Sequence, residues 1–367
     1  MQCVAPLTTA VPLNLTLLSI FVFIRHGERA PYDQWALQNE TGTWVCDGTD
    51  AYAPKMISYV NGVPRRYHTI IEEKMAPFPP SCDQAQLTIN GMKQHYELGS
   101  KFREKLINEY HFLPEYYDPD LIYLRSSHSD RCVRSLISFI HGLYPPEYSE
   151  QKIDIVSGTG VLEPLDPTPY GCTDLQDAYV KFKHSEEFAR RRDNAQVVQK
   201  QLYDYLNLPW DGENWQWIGD WLYSFYCSEQ SIPSIITSEM FETAMNDTVF
   251  YSIGFFNQFA QESVGPIWRL LDEQISKRIS GETNTKFALF SGHDTTIGAL
   301  LVALGQKNIT QIAPYRAHIE VELYTDGTEQ FLRFVYEGNV LKINDKETIS
   351  LKEFRVLIAP SLSKCTE

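Results

Sequence analysis

The sequence predicts an α/β protein: a mainly parallel sheet with helices on both faces, plus an inserted, smaller helical lobe. Short apolar segments, which we predict to be strands, lie at about 15–24, 121–125, 153–156 and 286–291. They alternate with helical patterns, which is typical of parallel strands connected by helices. Between about 166 and 275 the pattern changes to helices without a convincing strand. We therefore expect an α/β domain from residues 1–165 and 276–367, and an inserted helical domain, 166–275, on one side of a cleft.

The other end of the sheet is predicted to be a hairpin. Residues 318–324 and 329–336 alternate between apolar and polar around the turn residues Asp326 and Gly327. With 367 residues, 43% of them apolar, the chain is long enough to bury a large core.

The strand predicted at 15–24 leads directly into a charged motif, R-H-G-E-R-A-P, at residues 25–31. In open parallel sheets, ligands bind outside the carboxyl ends of the strands. The planar guanidinium groups of Arg25 and Arg29 match phosphate oxygens, and Gly27 lets the backbone approach a ligand. An imidazole, His26, between two arginines indicates phosphate chemistry rather than a simple strand end with surface cations.

A second motif follows the strand predicted at 286–291. His293 and Asp294 come next, and an apolar helix over 297–305 closes with a glycine. The beginning of a helix favours an anion, because its backbone N–H groups are free there. The pair taken alone is equally typical of a helix N-cap.

A third motif is Arg125, at the end of the strand predicted at 121–125. Ser126 and Ser127 follow it, and then an amphipathic helix. Arg125 could be only a salt-bridged strand end. However, the three strand ends could converge on one edge of one sheet, and together they favour a shared site.

These motifs resemble those of the histidine acid phosphatases, a branch of the histidine phosphatase superfamily. The matching stretches are Phe23–Pro31, Leu87–Gly99, Tyr123–Arg131 and Ser291–Leu300, and weaker likeness covers most of the remaining chain. Aspartate after the second histidine separates this branch from the phosphoglycerate mutase-like branch. The segment 38–86 also resembles that of the 2-phosphoxylose phosphatase-like members, and we expect it to be a lid or specificity loop.

The resemblance implies an acid phosphatase that hydrolyses small phosphate monoesters through a phosphohistidine, without a metal or other cofactor. His26 would be the nucleophile and Asp294 the proton donor to the leaving oxygen. The phosphoryl oxygens would be held by the remaining motif residues, Arg25, Arg29, Arg125 and His293. A covalent intermediate divides a difficult hydrolysis into two steps, and fixed cations stabilise the transition-state charge.

Three alternatives stay open. A metal-dependent phosphatase would need clustered ligands, but the other seven of the nine histidines are scattered without metal-ligand spacing. A phosphate-binding relative without activity would not need every catalytic position filled. Within the family, a phytase-like or phosphosugar-specific enzyme is the third alternative. An aromatic run between Trp210 and Tyr226 is either a stacking wall for such a leaving group or, as its four-residue spacing favours, a helical core.

Seven cysteines and four glycosylation sequons, at Asn14, Asn39, Asn246 and Asn308, favour an oxidising compartment, and so a secreted or lysosomal or vacuolar glycoprotein. By position we pair Cys46 with Cys82, and Cys172 with Cys365 as the resemblance implies. Of Cys3, Cys132 and Cys227, at least one stays free.

The net charge of −15 argues against nucleic acid and anionic membranes as partners. The apolar run at 11–24 contains the predicted first strand, so we interpret it as structural and expect any signal peptide to be short, upstream or already removed. No other segment reaches the roughly 18–20 apolar residues of a membrane span. A homodimer stays open.

Overall fold

The computed structural model describes residues 1–8, 14–32, 42–47, 78, 81–146, 152–158, 163–167, 172–205, 207, 215–306 and 309–366, without the side chains of 215–217. Most of the expected loop at 38–86 lies outside these residues, as do Asn39, Trp210 and Asn308. Asn14 and Asn246, the other two sequons, are exposed.

The described residues form one mixed sheet with the strand order β3-β2-β4-β1-β5-β6-β7, and β8 pairs with β6. Strands β3, β2, β4 and β1 are parallel neighbours, and the pairs from β1–β5 onward are antiparallel. The strands are β1 (Thr16–Arg25), β2 (Ile122–Ser126), β3 (Val156–Ser157), β4 (Phe287–Gly292), β5 (His318–Thr325), β6 (Gln330–Tyr336), β7 (Asn339–Val340) and β8 (Ile349–Ser350). The predicted α/β class is confirmed, and so is the predicted hairpin, which is β5 and β6.

Helices connect these strands. They are α1 (Ile89–Arg103), α2 (Asp130–Leu143), α3 (Thr173–Lys183), α4 (Glu186–Tyr205), α5 (Trp215–Cys227), α6 (Ser238–Val249), α7 (Phe255–Gln258), α8 (Ala260–Ser280), α9 (Asp294–Ala303) and α10 (Leu351–Leu362). Two π-helical segments, Glu104–Glu109 and Phe250–Gly254, extend α1 and α6.

Strand β1 is buried on both faces, which explains its continuous apolar run. Phe21 and Phe23 point into a first core, which they share with α3, α8, α9 and α10. Ile20, Val22 and Ile24 point into a second core against α1 and α2. The sheet is therefore covered by helices on both faces, as the sequence predicts.

Among the described residues between β3 and β4, the regular structure is helical. Helices α3, α7 and α8 pack into the first core, whereas α4, α5 and α6 form a third core with Trp44 and Phe78. Trp221 and Phe225 of the aromatic run are buried in this third core, while Tyr226 is exposed. The domain boundaries at 165 and 276 stay a prediction.

Three disulfides tie distant parts of the chain together. Both expected pairs, Cys46–Cys82 and Cys172–Cys365, are present, and the third joins Cys3 to Cys227 at the end of α5. Cys132 is free and buried. In the part of the chain that the structure describes, no helix is long and apolar enough to cross a membrane.

Candidate active site

The loop after β1 is held tightly between α1 and α2. The backbone N–H of His26 donates to the carbonyl of Gly292 at 3.1 Å, so the end of β1 is fixed to the end of β4. The backbone N–H of Gly27 donates to Ser135 Oγ at 3.1 Å. A Cβ at position 27 would lie 2.4 Å from the carbonyl oxygen of Gly91, so the approach of the loop to α1 requires glycine there.

His26 is oriented by its own neighbour. Its Nδ1 lies 2.8 Å from the carbonyl oxygen of Gly27, and because a carbonyl only accepts, Nδ1 carries the proton. The Nε2 lone pair is therefore available. Burial lowers the pKa of His26 well below its ordinary value, and the charges of Arg131, Arg25 and Arg29 lower it further. The imidazole is thus neutral over a wide pH range.

The positive charges of three arginines act on the His26 imidazole, and each guanidinium group is held in place by hydrogen bonds to other residues. Arg25 donates through Nη1 to the Tyr223 hydroxyl at 3.2 Å and to the carbonyl of Ala313. Arg29 forms a two-pronged ion pair with Asp220. Arg131 donates through Nη2 to the Tyr32 hydroxyl at 2.6 Å.

Each of these three guanidinium groups also keeps a buried Nε–H that has no hydrogen-bond partner among the described residues. A buried donor without a partner is costly, so an acceptor is expected in the bound state. Arg125 also has a buried Nε–H without a described partner, so these donors suit an anion such as phosphate but do not by themselves single out the three arginines.

His293 and Asp294 directly follow the end of β4. His293 caps α9, and its backbone N–H donates to Thr296 Oγ1 at 2.8 Å. Its ring meets the His26 ring edge-on with centroids 5.8 Å apart, and its Nδ1 lies 3.2 Å from Arg131 Nη2. Burial, followed by the charge of Arg131, lowers the pKa of His293 well below its ordinary value. Asp294 is the first residue of α9, and its negative charge acts on Arg25.

The other nitrogen of His293 faces two oxygen-bearing side chains. Its Nε2 lies 3.0 Å from Ser127 Oγ and 3.8 Å from Asp166 Oδ2. Burial raises the pKa of Asp166 to about 6, and the charges of Asp294 and Glu163 act in the same direction. The carboxyl group of Asp166 thus lies next to the His293 ring, which itself contacts the His26 ring.

The structure does not bring Arg125 to the two histidines. In the sheet Arg125 is level with Phe290, two residues before the end of β4. Its Nη2 lies 3.4 Å from both carboxylate oxygens of Glu163, at a cavity of about 480 Å³ that Asp166 also lines. The phosphate-binding role of Arg125 stays a prediction, and the geometry favours Arg131 in its place.

Sequence reasoning missed Arg131, Asp166, Asp220 and Tyr223. Arg131 ends one of the stretches that carry the family resemblance, and it lies in the first turn of α2; this position could have identified it. Tyr223 belongs to the aromatic run, whose spacing favoured a helical core over a role in the site. Asp166 and Asp220 offered no signal, because each reaches the site from a segment without a recognisable motif.

The chain is similar in sequence and in fold to known proteins. The family described as histidine phosphatase superfamily (branch 2) matches residues 16–337. Counting factor 60 of Dictyostelium discoideum is 24% identical over 361 residues, which cover 92% of this chain and 83% of the relative. 2-Phosphoxylose phosphatase 1 of Mus musculus is 21% identical over 356 residues, covering 89% and 72%.

Among solved structures, a Hafnia alvei phytase in complex with tartrate superimposes with a TM-score of 0.64 at 13% identity, over 97% of this chain and 99% of that one. This likeness concerns the fold. The match of the family over residues 16–337 leads to one conclusion: the chain belongs to branch 2 of the histidine phosphatase superfamily.

Proposed function

We propose that this protein is a metal-independent acid phosphatase, which hydrolyses small phosphate monoesters through a phosphohistidine on His26. The family supports a phosphatase with a phosphate ester as substrate. The site residues support the more specific chemistry.

In the first step, His26 Nε2 attacks phosphorus and the bond to the ester oxygen breaks. Asp294 gives its proton to the departing oxygen, so the leaving group departs as a neutral alcohol. In the second step, water attacks phosphorus, the P–N bond breaks, and the carboxylate of Asp294 takes a proton from the water. Orthophosphate and the original enzyme result.

Arg25, Arg29, Arg131 and His293 would hold the non-bridging oxygens in both steps. The three arginines are fixed cations, and cations that need not reorganise stabilise the charge of a phosphoryl transition state most effectively. Arg131 takes the position for which the sequence suggested Arg125.

The observation that carries the proposal is the orientation of His26. Its Nδ1–H is fixed on the Gly27 carbonyl, 2.8 Å away, so that Nε2 is free, and its lowered pKa keeps Nε2 unprotonated. A nucleophilic imidazole needs both conditions. Because Asp294 must also be protonated, we expect maximal activity at about pH 4–6.

The test is to trap the intermediate. Wild-type enzyme mixed with ³²P-labelled substrate and quenched in alkali should carry an acid-labile phosphoryl group, and His26→Ala should carry none. His184→Ala, which alters an exposed histidine, is the matched control and should behave like wild type. Turnover by wild type without a trapped phosphoprotein would favour direct attack by water.

A phosphosugar or phytate is the second candidate substrate class, favoured by the name of the 2-phosphoxylose phosphatase relative and by the fold shared with a phytase. A panel of p-nitrophenyl phosphate, phytate and phosphorylated sugars, compared by kcat/KM, separates these activities.

An assay with a chelator separates the proposed enzyme from a metal-dependent phosphatase and from an inactive phosphate-binding protein. Phosphate release that continues in its presence contradicts a metal-dependent enzyme, and any release contradicts an inactive protein. The three disulfides favour an oxidising compartment, so we propose a secreted or lysosomal location.

A further inference from the structure

We propose that helix α5 is the outer wall of the phosphate site, and that Asp220 and Tyr223 are positioning residues for Arg29 and Arg25. The proposal rests on the proposed function, since the two arginines are taken to bind phosphate. In this proposal the helical region orients the arginines that bind phosphate, whereas the sequence predicts only that it forms one side of a substrate cleft.

Asp220 fixes Arg29. Arg29 Nη1 donates to Asp220 Oδ2 at 3.2 Å, and Nη2 donates to Oδ1, so the pair is bidentate. The side chains are 5% and 20% exposed, respectively. Burial alone would lower the pKa of Arg29, but the charge of Asp220, its hydrogen bond and the nearby Tyr315 and Tyr32 together raise it. A bidentate carboxylate fixes the plane of a guanidinium group as well as its place.

Tyr223 fixes Arg25 from the same helix. Its hydroxyl accepts from Arg25 Nη1 at 3.2 Å, and the guanidinium carbon lies 5.3 Å from the centre of its ring. Tyr315 stacks on Arg25 from another side, at 4.5 Å. Residues three apart share a helix face, so Asp220 and Tyr223 act on the two arginines of the R-H-G-E-R motif together.

The helix itself is anchored at both its side and its end. A Cβ at Gly219 would lie 1.8 Å from Thr248 Oγ1, so α5 and α6 are in close contact. At the end of α5, Cys227 forms the disulfide with Cys3, whose carbonyl accepts from the Tyr223 hydroxyl at 3.4 Å. The same carbonyl accepts from the backbone N–H of Tyr315 at 2.8 Å. The disulfide therefore lies directly behind the groups that hold Arg25.

Charge and orientation predict opposite effects for Asp220. A carboxylate beside a phosphate-binding arginine repels a phosphate dianion, so by charge alone its removal should tighten binding. If Asp220 acts by orienting Arg29, its removal should weaken binding, because a freed guanidinium must be ordered again each time phosphate binds.

The first experiment uses this difference in sign. Inorganic phosphate binding to Asp220→Asn is measured by calorimetry and by competitive inhibition. Groups that hydrogen-bond to metal ligands typically contribute about 10–100-fold to affinity or activity. By analogy, we expect phosphate binding at least about 10-fold weaker than in wild type. Unchanged or tighter binding overturns the role of Asp220. Asp220→Glu, which keeps the charge and both oxygens, should recover part of the affinity.

The second experiment leaves the charge unchanged. Tyr223→Phe removes one hydrogen bond to Arg25 and keeps the ring, so kcat/KM and phosphate affinity should each fall about 3–10-fold. Tyr226→Phe is the matched control, since Tyr226 lies on the same helix, is 43% exposed and packs on Phe241. Equal effects of the two variants overturn the role of Tyr223.

The two proposals fail in different ways. Calorimetry measures phosphate affinity without turnover, so the role of α5 is tested even in a protein that hydrolyses nothing. A wild type that binds phosphate without turnover contradicts the proposed function and leaves this inference in place. Active variants with wild-type phosphate affinity contradict only the inference. If Asp220→Asn fails to fold, Tyr223→Phe still decides whether α5 positions the arginines.

Discussion

The residues that follow strands β1 and β4 lie in the site, whereas the arginine near the end of β2 points away from it. His26 and His293 come directly after β1 and β4, and their rings meet edge-on. Arg125 lies near the end of β2 as well, but it pairs with Glu163. In place of Arg125, Arg131 reaches the site from the first turn of α2.

Sheet register explains the difference. Arg125 is level with Phe290, and Phe290 is level with Phe23. Neighbouring residues at the same level of a parallel sheet point to the same face. The rings of Phe23 and Phe290 stack in the first core, 4.6 Å apart, so the side chain of Arg125 leaves the sheet on that face and before its end. A common edge is therefore not sufficient for a residue to reach the site.

Asp294 follows β4, and Asp294→Asn should reduce the rate of hydrolysis more than changes to Arg131 or Arg125. Loss of a positioned general acid typically costs about 10²–10⁴-fold, and it should do so for alkyl phosphates, whose leaving oxygen needs a proton. p-Nitrophenyl phosphate should be affected much less, because its leaving group is a weak base. Rates on both esters check this; equal losses on the two would mean that another group, such as His293, is the acid.

Arg131→Ala should have the next largest effect. Removal of one fixed donor to transition-state charge typically costs about 10²–10³-fold in kcat, and inhibition by inorganic phosphate should weaken as well. Arg131→Lys should recover little, because an ammonium group lacks the planar fork. Near-normal kinetics for Arg131→Ala, together with a large loss for Arg125→Ala, would restore the assignment that the sequence suggested.

The sequence was sufficient wherever a local pattern determines the answer. β1, β4 and the beginning of α9 follow from apolar runs and capping, and these elements position His26, His293 and Asp294. The contacts of Asp220 with Arg29 and of Tyr223 with Arg25 join residues almost 200 positions apart, so only tertiary packing creates them. Arg125 leaves the sheet before its end because of the register of β2 against β4, which the sequence of β2 alone does not specify.

Arg125→Met should lower stability rather than activity. Glu163 is buried, and without Arg125 the donors left to its carboxylate among the described residues are the backbone N–H groups of Gly158 and Leu165. Because Arg125 is partly exposed and its contacts are long, we expect a loss of about 1–3 kcal/mol in the free energy of unfolding. Urea denaturation measures this loss, and Arg125→Lys is the control that keeps the charge. A drop in kcat as large as that of Arg131→Ala would contradict a structural role.

Asp166→Asn should have the smallest effect, and one that depends on pH. Asp166 belongs to the loop that Glu163 fixes, and its pKa is raised to about 6 from an ordinary 3.8. The folded state therefore binds more protons than the unfolded state between about pH 4 and 6, so this group makes the protein less stable as pH rises through that window. Asparagine mimics the protonated carboxyl, so the variant should match wild type near pH 4 and exceed it at pH 7.5.

We expect this gain at pH 7.5 to be about 1–2 kcal/mol, less than the full shift implies because a quarter of the side chain is exposed. Arg131 and His128 oppose the shift, and Asp294 and Glu163 reinforce it, so the gain reports the balance of charges behind His293. Thermal unfolding of both proteins at the two pH values measures it. A variant less stable than wild type at pH 7.5 would mean that ionised Asp166 forms a favourable pair with His293 or Arg131, and that the loop after β3 supports the site through this charge.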